Sequence, residues 1–177
     1  MAKKLLLALL VAAFLPELAS AQTPPSNADH VGGVVKILGQ SARTKTAMLT
    51  VWQPRTKGGE HAAFQLRADT DLYRFSLTRE QVAGFIEAIR KYQLAERQLG
   101  SDAEAGGELY RTGVKLGRGD EEAKSDTLIV SMERKGRQKA ALFLSFDSWQ
   151  AGERPYNGAT FRYESALGLR EILEELQ

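Results

Sequence analysis

Residues 62–92 read AAFQLRADTDLYRFSLTREQVAGFIEAIRKY, and a change of period inside this stretch decides the fold class. Ala62, Phe64, Leu66 and Ala68 fall on one face, with His61, Gln65 and Arg67 on the other. Tyr73, Phe75 and Leu77 then share a face opposed by Arg74 and Ser76. A period of two marks half-buried strands, and the polar turn Asp69-Thr70-Asp71 between the two runs makes them a hairpin. At Thr78 the period changes. Thr78 is a good N-cap, Gln81 three residues on completes a capping box, and Leu77 with Val82 supplies a hydrophobic staple. Val82, Phe85, Ile86, Ile89 and Tyr92 then repeat at helical spacing, and Glu87 stands four residues before Lys91 as a supporting pair on the outside. Strands followed at once by an amphipathic helix predict an α+β domain in which the helix lays its apolar stripe on a sheet.

The same signals recur on either side. Upstream, Thr46 to Trp52 is rich in β-formers and is expected to pair with the hairpin. Downstream, Gly100 to Gly107 reads as a loop, and strand patterns return at Leu109 to Leu116, Thr127 to Glu133 and Lys139 to Phe146. Ala159 to Tyr163 reads as one more strand, and Ser165 as the cap of a last helix striped by Leu169, Ile172, Leu173 and Leu176. The expected fold is therefore a single α+β domain over 34–177. It has a mainly antiparallel sheet of six to eight strands, with two amphipathic helices packed on it. The order suggests a duplicated strands-then-helix unit, echoed by Trp52-Gln53 and Trp149-Gln150 at two strand exits.

The chain's first residues point to export. Lys3 and Lys4 precede the apolar run Leu5 to Leu15, Pro16 breaks it, and Ala19-Ser20-Ala21 offers the small residues that signal peptidase accepts. Residues 1–21 read as a cleavable signal peptide, because Leu5 to Leu15 falls short of the roughly 20 apolar residues of a spanning helix. Residues 22–33, with two prolines and two glycines, read as a flexible leader. Losing Lys3, Lys4 and Glu17 lowers the formal net charge of +2 by one, so no global attraction to nucleic acid or membrane follows. The chain has no cysteine and no Asn-x-Ser/Thr site. Together these place it in a bacterial periplasm or the medium beyond, with no membrane span after cleavage and no nucleic-acid partner.

Catalytic signatures are few. The nucleophile elbow, the phosphate-cradling loop, the His-Glu-x-x-His zinc motif and the dinucleotide fingerprint are all missing. Of the two histidines, His30 lies in the leader, and His61 lies opposite Phe64 and Leu66, where it is expected to face solvent. Neither suits a fixed general base. No metal site or cofactor is expected. Asp120-Glu121-Glu122, with Asp126 beyond, lacks the alternation of a calcium loop and reads as a solvated turn. Arg118-Gly119-Asp120 spells a short adhesion tripeptide with nothing around it to support that role. Arg134, Lys135, Arg137 and Lys139 form a basic hairpin tip, suited to guarding a sheet edge.

Trp149 to Gly158 is the most site-like segment, since Trp149, Arg154 and Tyr156 stand among flexible glycines. Trp52 with Arg55 is its counterpart. Trp52, Arg55, Trp149, Arg154 and Tyr156 are thus the candidate ligand-binding set, if their loops meet at one end of the sheet. The competing reading buries both indoles as packing. In function, the expectation is a non-enzymatic binding or accessory module with a protein or small-molecule partner. The alternative is a carboxylate-dependent hydrolase of an envelope substrate, which needs two carboxylates converging at about 5 to 10 Å. A structural subunit would instead show a large exposed apolar sheet face.

Overall fold

The computed structural model describes residues 35–41, 47–54, 59–68, 71–98, 106–134, 139–150 and 158–177. The expected signal peptide and leader, with His30, lie outside these residues. So do Arg55, Arg154, Tyr156, Lys135 and Arg137.

The described residues form eight strands: β1 (Val35–Ser41), β2 (Ala47–Trp52), β3 (Ala62–Ala68), β4 (Asp71–Leu77), β5 (Gly106–Arg118), β6 (Lys124–Glu133), β7 (Ala141–Phe146) and β8 (Ala159–Phe161). They also form three helices: α1 (Arg79–Gln98), the single turn α2 (Asp147–Gln150) and α3 (Tyr163–Glu175). Each strand pairs antiparallel with the next, and β8 returns to β1 to close the ring. The chain thus runs twice through four strands and a helix, which is the α+β arrangement expected. Two short seams join the halves. β4 meets β5 only at Tyr73–Arg118 and Arg74–Gly117, and β8 meets β1 only at Thr160–Gln40 and Ala159–Ser41.

The pattern of the hairpin dictates what it buries. Phe64 pairs across with Phe75, and Leu66 with Tyr73, so the odd face of β4 and the even face of β3 meet on the inside. The Phe64 and Phe75 rings stack at 4.8 Å, and Phe85 of α1 tilts against Phe64 at 6.2 Å. Val82, Phe85, Ile89 and Tyr92 of α1, with Ala166, Leu169 and Leu173 of α3, join the same core as Leu128, Leu142, Leu144 and Phe161. Both helices therefore face the enclosed apolar space. They are also tied to each other. Arg90 bonds Glu174 at 2.8 Å, Arg170 donates to Gln93, and Arg97 donates to the Tyr163 hydroxyl.

The capping box is formed in both directions, Thr78 N–H to Gln81 Oε1 at 2.9 Å and Gln81 N–H to Thr78 Oγ1 at 3.3 Å. Leu77 and Val82 are both fully buried, as a staple requires.

Several local expectations differ from what is observed. β1 had no signal of its own, because Leu38 breaks the alternation of Val35, Ile37 and Gly39; its partner β2 supplies the pairing. β8 ends at Phe161, and Tyr163 starts α3 behind Arg162, which makes no side-chain cap. Ser165 is therefore inside the first turn. Tyr163 is drawn into the helix by Tyr92, 6.4 Å away, and by Arg97. Glu87 pairs with Arg90 at 3.6 Å rather than supporting Lys91. Trp149 sits in α2, and the two Trp-Gln pairs are not equivalent: Trp52 ends the second strand of its half, while Trp149 follows the third strand of the other.

Candidate functional site

The first seam is where the geometry opens. In an antiparallel strand alternate residues turn their main-chain groups toward the same neighbour. His61 N–H donates to Leu77 O, and Gly119 N–H donates to Leu72 O, so odd residues of β4 face β3 and even ones face β5. Past Arg74–Gly117 the ladder stops, which leaves the main chain of Ser76 and Lys115 directed into the gap between the strands. Three residues of β4, Phe75 to Leu77, lie beyond the last pair, a run of about 10 Å.

Both ends of the gap are fixed. At one end the turn after β5 is clamped to β4. Gly119, at φ 56°, lets the chain turn at once. Arg74 Nη1 donates to Gly119 O at 2.7 Å, Glu121 N–H bonds Arg118 O, and Arg118 pairs with Asp71 at 3.0 Å. That hydrogen bond from Arg118 to Asp71 raises the guanidinium's already high pKa. At the other end, Gln81 Nε2 donates to Thr112 Oγ1 at 2.9 Å and to Gly113 O at 2.8 Å. The residue that caps α1 is also the strut that closes the slot.

The result is a cavity of about 420 Å³, within the roughly 300 to 1,000 Å³ of small-ligand sites. Arg74, Ser76 and Lys115 line its walls, and Glu60, Asp120 and Glu121 its rim, while the core residues Phe64 and Phe75 border it almost wholly buried. Gly117 also lines it. A Cβ there would sit in ordinary van der Waals contact with Glu121 O at 3.7 Å, Ala123 Cβ at 3.8 Å and Arg74 O at 3.9 Å, so a side chain can start there without a clash. The guanidinium of Arg74 has one buried nitrogen, Nε, with no hydrogen-bond partner. Lys115 Nζ bonds the Ser125 hydroxyl at 2.9 Å.

Of the residues singled out from sequence, the structure describes Trp52 and Trp149. Trp149 is 8% exposed and packs on Tyr73 and Phe146, at 4.5 and 4.7 Å between centroids. Trp52 is 3% exposed. It pairs with Ala63 on the face of β2 opposite Leu49 and Val51, which belong to the core. The two indoles thus lie on opposite faces of the wall. Arg55, Arg154 and Tyr156, which would complete a surface around them, fall outside the described residues.

His61 does not simply face solvent, since its Nε2 is buried without a partner. The carboxylates near α2 are engaged. Arg111 bridges Glu108 and Asp147, and its hydrogen bonds hold the Glu108 carboxyl below the usual carboxylate range. Asp126 accepts from Ser148 N–H and from its hydroxyl, securing the single turn of α2. Among the described residues no cluster of three or more His, Cys, Asp or Glu could hold a metal, and no helix is long and apolar enough to cross a membrane. Leu94, 55% exposed, is the one large hydrophobic of the described residues at the surface.

Sequence reasoning missed the slot. Arg74 and Ser76 registered only as the polar face of β4, and Asp120-Glu121 only as a solvated turn. What brings them together is a two-pair seam between strands about 40 residues apart in sequence, which no local pattern encodes. No family model, no curated protein and no solved structure matches the chain.

Proposed function

We propose that this chain is an exported, periplasmic or secreted binding module that takes a small polar ligand into the slot between β4 and β5 without chemically changing it. The observation that carries the reading is the slot itself: a gap held at both ends, with charged groups of both signs along it. Export rests on Lys3-Lys4, the Leu5 to Leu15 run and Ala19-Ser20-Ala21. Glu108, Asp126 and Asp147 near α2 are each occupied by Arg111 or Ser148 and line no part of the slot, so a hydrolytic pair would have to come from Glu60, Asp120 and Glu121 of its rim. An acid and base pair needs its carboxylates turned toward substrate.

The test uses Gly117→Leu, which places a bulky side chain on the lining of the slot, beside the unaltered protein. Thermal melts are recorded with amino acids and dipeptides, with phosphate and dicarboxylates, and with neutral sugars. At least one class should raise the melting temperature of the unaltered protein and leave the variant unmoved. If no class does so, or if the variant responds equally, the slot is not a binding site.

A further inference from the structure

Among the described residues, Arg90 takes Glu174, Arg118 takes Asp71, and Arg111 takes both Glu108 and Asp147. The slot differs. Arg74, Lys115, Glu60, Asp120 and Glu121 line one cavity, and no ion pair forms among these five within the described residues. Arg74 spends Nη1 on a carbonyl and keeps Nε buried without a partner. Its guanidinium is therefore already oriented, with donors to spare, for a planar acceptor.

Resting on the binding role proposed above, we infer that the ligand is a small zwitterion of the amino-acid or short-peptide class. Its carboxylate lies on Arg74 and Lys115, and its ammonium lies against Asp120 and Glu121 of the rim. A simple anion would meet the three carboxylates of the rim, and a simple cation would meet Arg74 and Lys115. A neutral sugar would leave both sets unanswered. A zwitterion answers both, and charge-assisted hydrogen bonds are the strong ones. The main-chain groups of Ser76 and Lys115 that face the gap match the N–H and C=O of a peptide unit, as an extended chain matches any open strand edge.

Isothermal titration of the mature protein with leucyl-glycine, N-acetyl-leucyl-glycine, leucyl-glycinamide and free leucine tests this. Leucyl-glycine should bind, and each blocked form should bind about tenfold more weakly or worse, as expected when one charged contact is lost. Free leucine equal to the dipeptide identifies an amino-acid site, and a weaker leucine identifies a peptide site; either supports the inference. With Arg74→Gln, checked for folding by its melt, the acid and its amide should bind alike. Lys115→Met, on an exposed side chain, gives a second reading of the same preference.

Acid and amide binding equally to the unaltered protein would overturn the inference. So would phosphate or a sugar binding where no zwitterion does, although the binding-module reading would then stand. If nothing in the melt panel binds and Gly117→Leu changes nothing, both fall.

Discussion

In the first half of the barrel, β4 runs seven residues and passes through Thr78 into a helix that starts on a two-way capping box. In the second half, β8 is three residues long, and α3 starts behind Arg162 with no side-chain cap. The order of elements is the same, but what fixes them is not. Local hydrogen bonds set where α1 begins, whereas α3 is placed by what it packs against: Leu169 and Leu173 in the core, Arg90 and Gln93 on α1. One half is specified from within, and the other by contact with it.

The largest effects should come where the halves share a core. Phe85→Ala removes a fully buried ring set against Phe64 and should cost about 3 to 5 kcal/mol, with Leu169→Ala on α3 costing about 2 to 5. Urea titration checks both. A loss under about 1 kcal/mol at Leu169 would show that α3 is a satellite rather than a partner in the core.

Tyr92 comes next, because it crosses between the halves: its buried hydroxyl donates to Ala140 O at 2.9 Å. Tyr92→Phe leaves that carbonyl unanswered and should cost about 1 to 3 kcal/mol. Burial, and then the nearby Glu96 carboxylate, raise the phenol's pKa above its ordinary value. The sign follows. The folded state favours the protonated phenol, so this contribution is complete below about pH 10 and is lost as pH rises through the folded value. Melts in alkaline buffers should fall more steeply for the unaltered protein than for Tyr92→Phe.

The caps make the contrast sharpest. Thr78→Ala should cost about 1 kcal/mol, while Arg162→Ala should stay within about 0.5 kcal/mol. Equal losses in denaturant titration would mean that the two helices start by the same means after all. Smallest is Glu108. Its carboxyl is held low by hydrogen bonds from Arg111, so the pair contributes above the ordinary carboxylate pKa and the contribution is lost as pH falls through the lowered value. Both side chains are about half exposed, so screening keeps the effect slight. Glu108→Gln should flatten the acid limb of the stability curve only a little.

The same contrast explains what could be read from the sequence. The hairpin at Phe64 and Phe75, the box at Thr78 and Gln81, and the stripe from Val82 to Tyr92 are local patterns, and each is found as expected. β1, the end of β8 and the start of α3 depend on partners distant in the chain. The slot is the extreme case. Arg74, Lys115 and Asp120 are ordinary surface residues until β4 and β5 stop pairing after two residues, and that event belongs to neither strand alone. The tryptophans attracted notice because aromatic residues in glycine-bearing loops suggest recognition. Burial at Trp52 and Trp149 follows from their neighbours Ala63, Tyr73 and Phe146, which a single-strand pattern does not reveal.

Amide and indole shifts followed together during a leucyl-glycine titration of isotope-labelled protein test the central claim most directly. The account predicts that the backbone amides of Ser76, Lys115, Gly117 and Gly119 move while the two tryptophan Nε1–H peaks stay in place. Movement of the indole peaks of Trp52 and Trp149 with those four amides unchanged would contradict it, and would return the binding surface to the tryptophan loops.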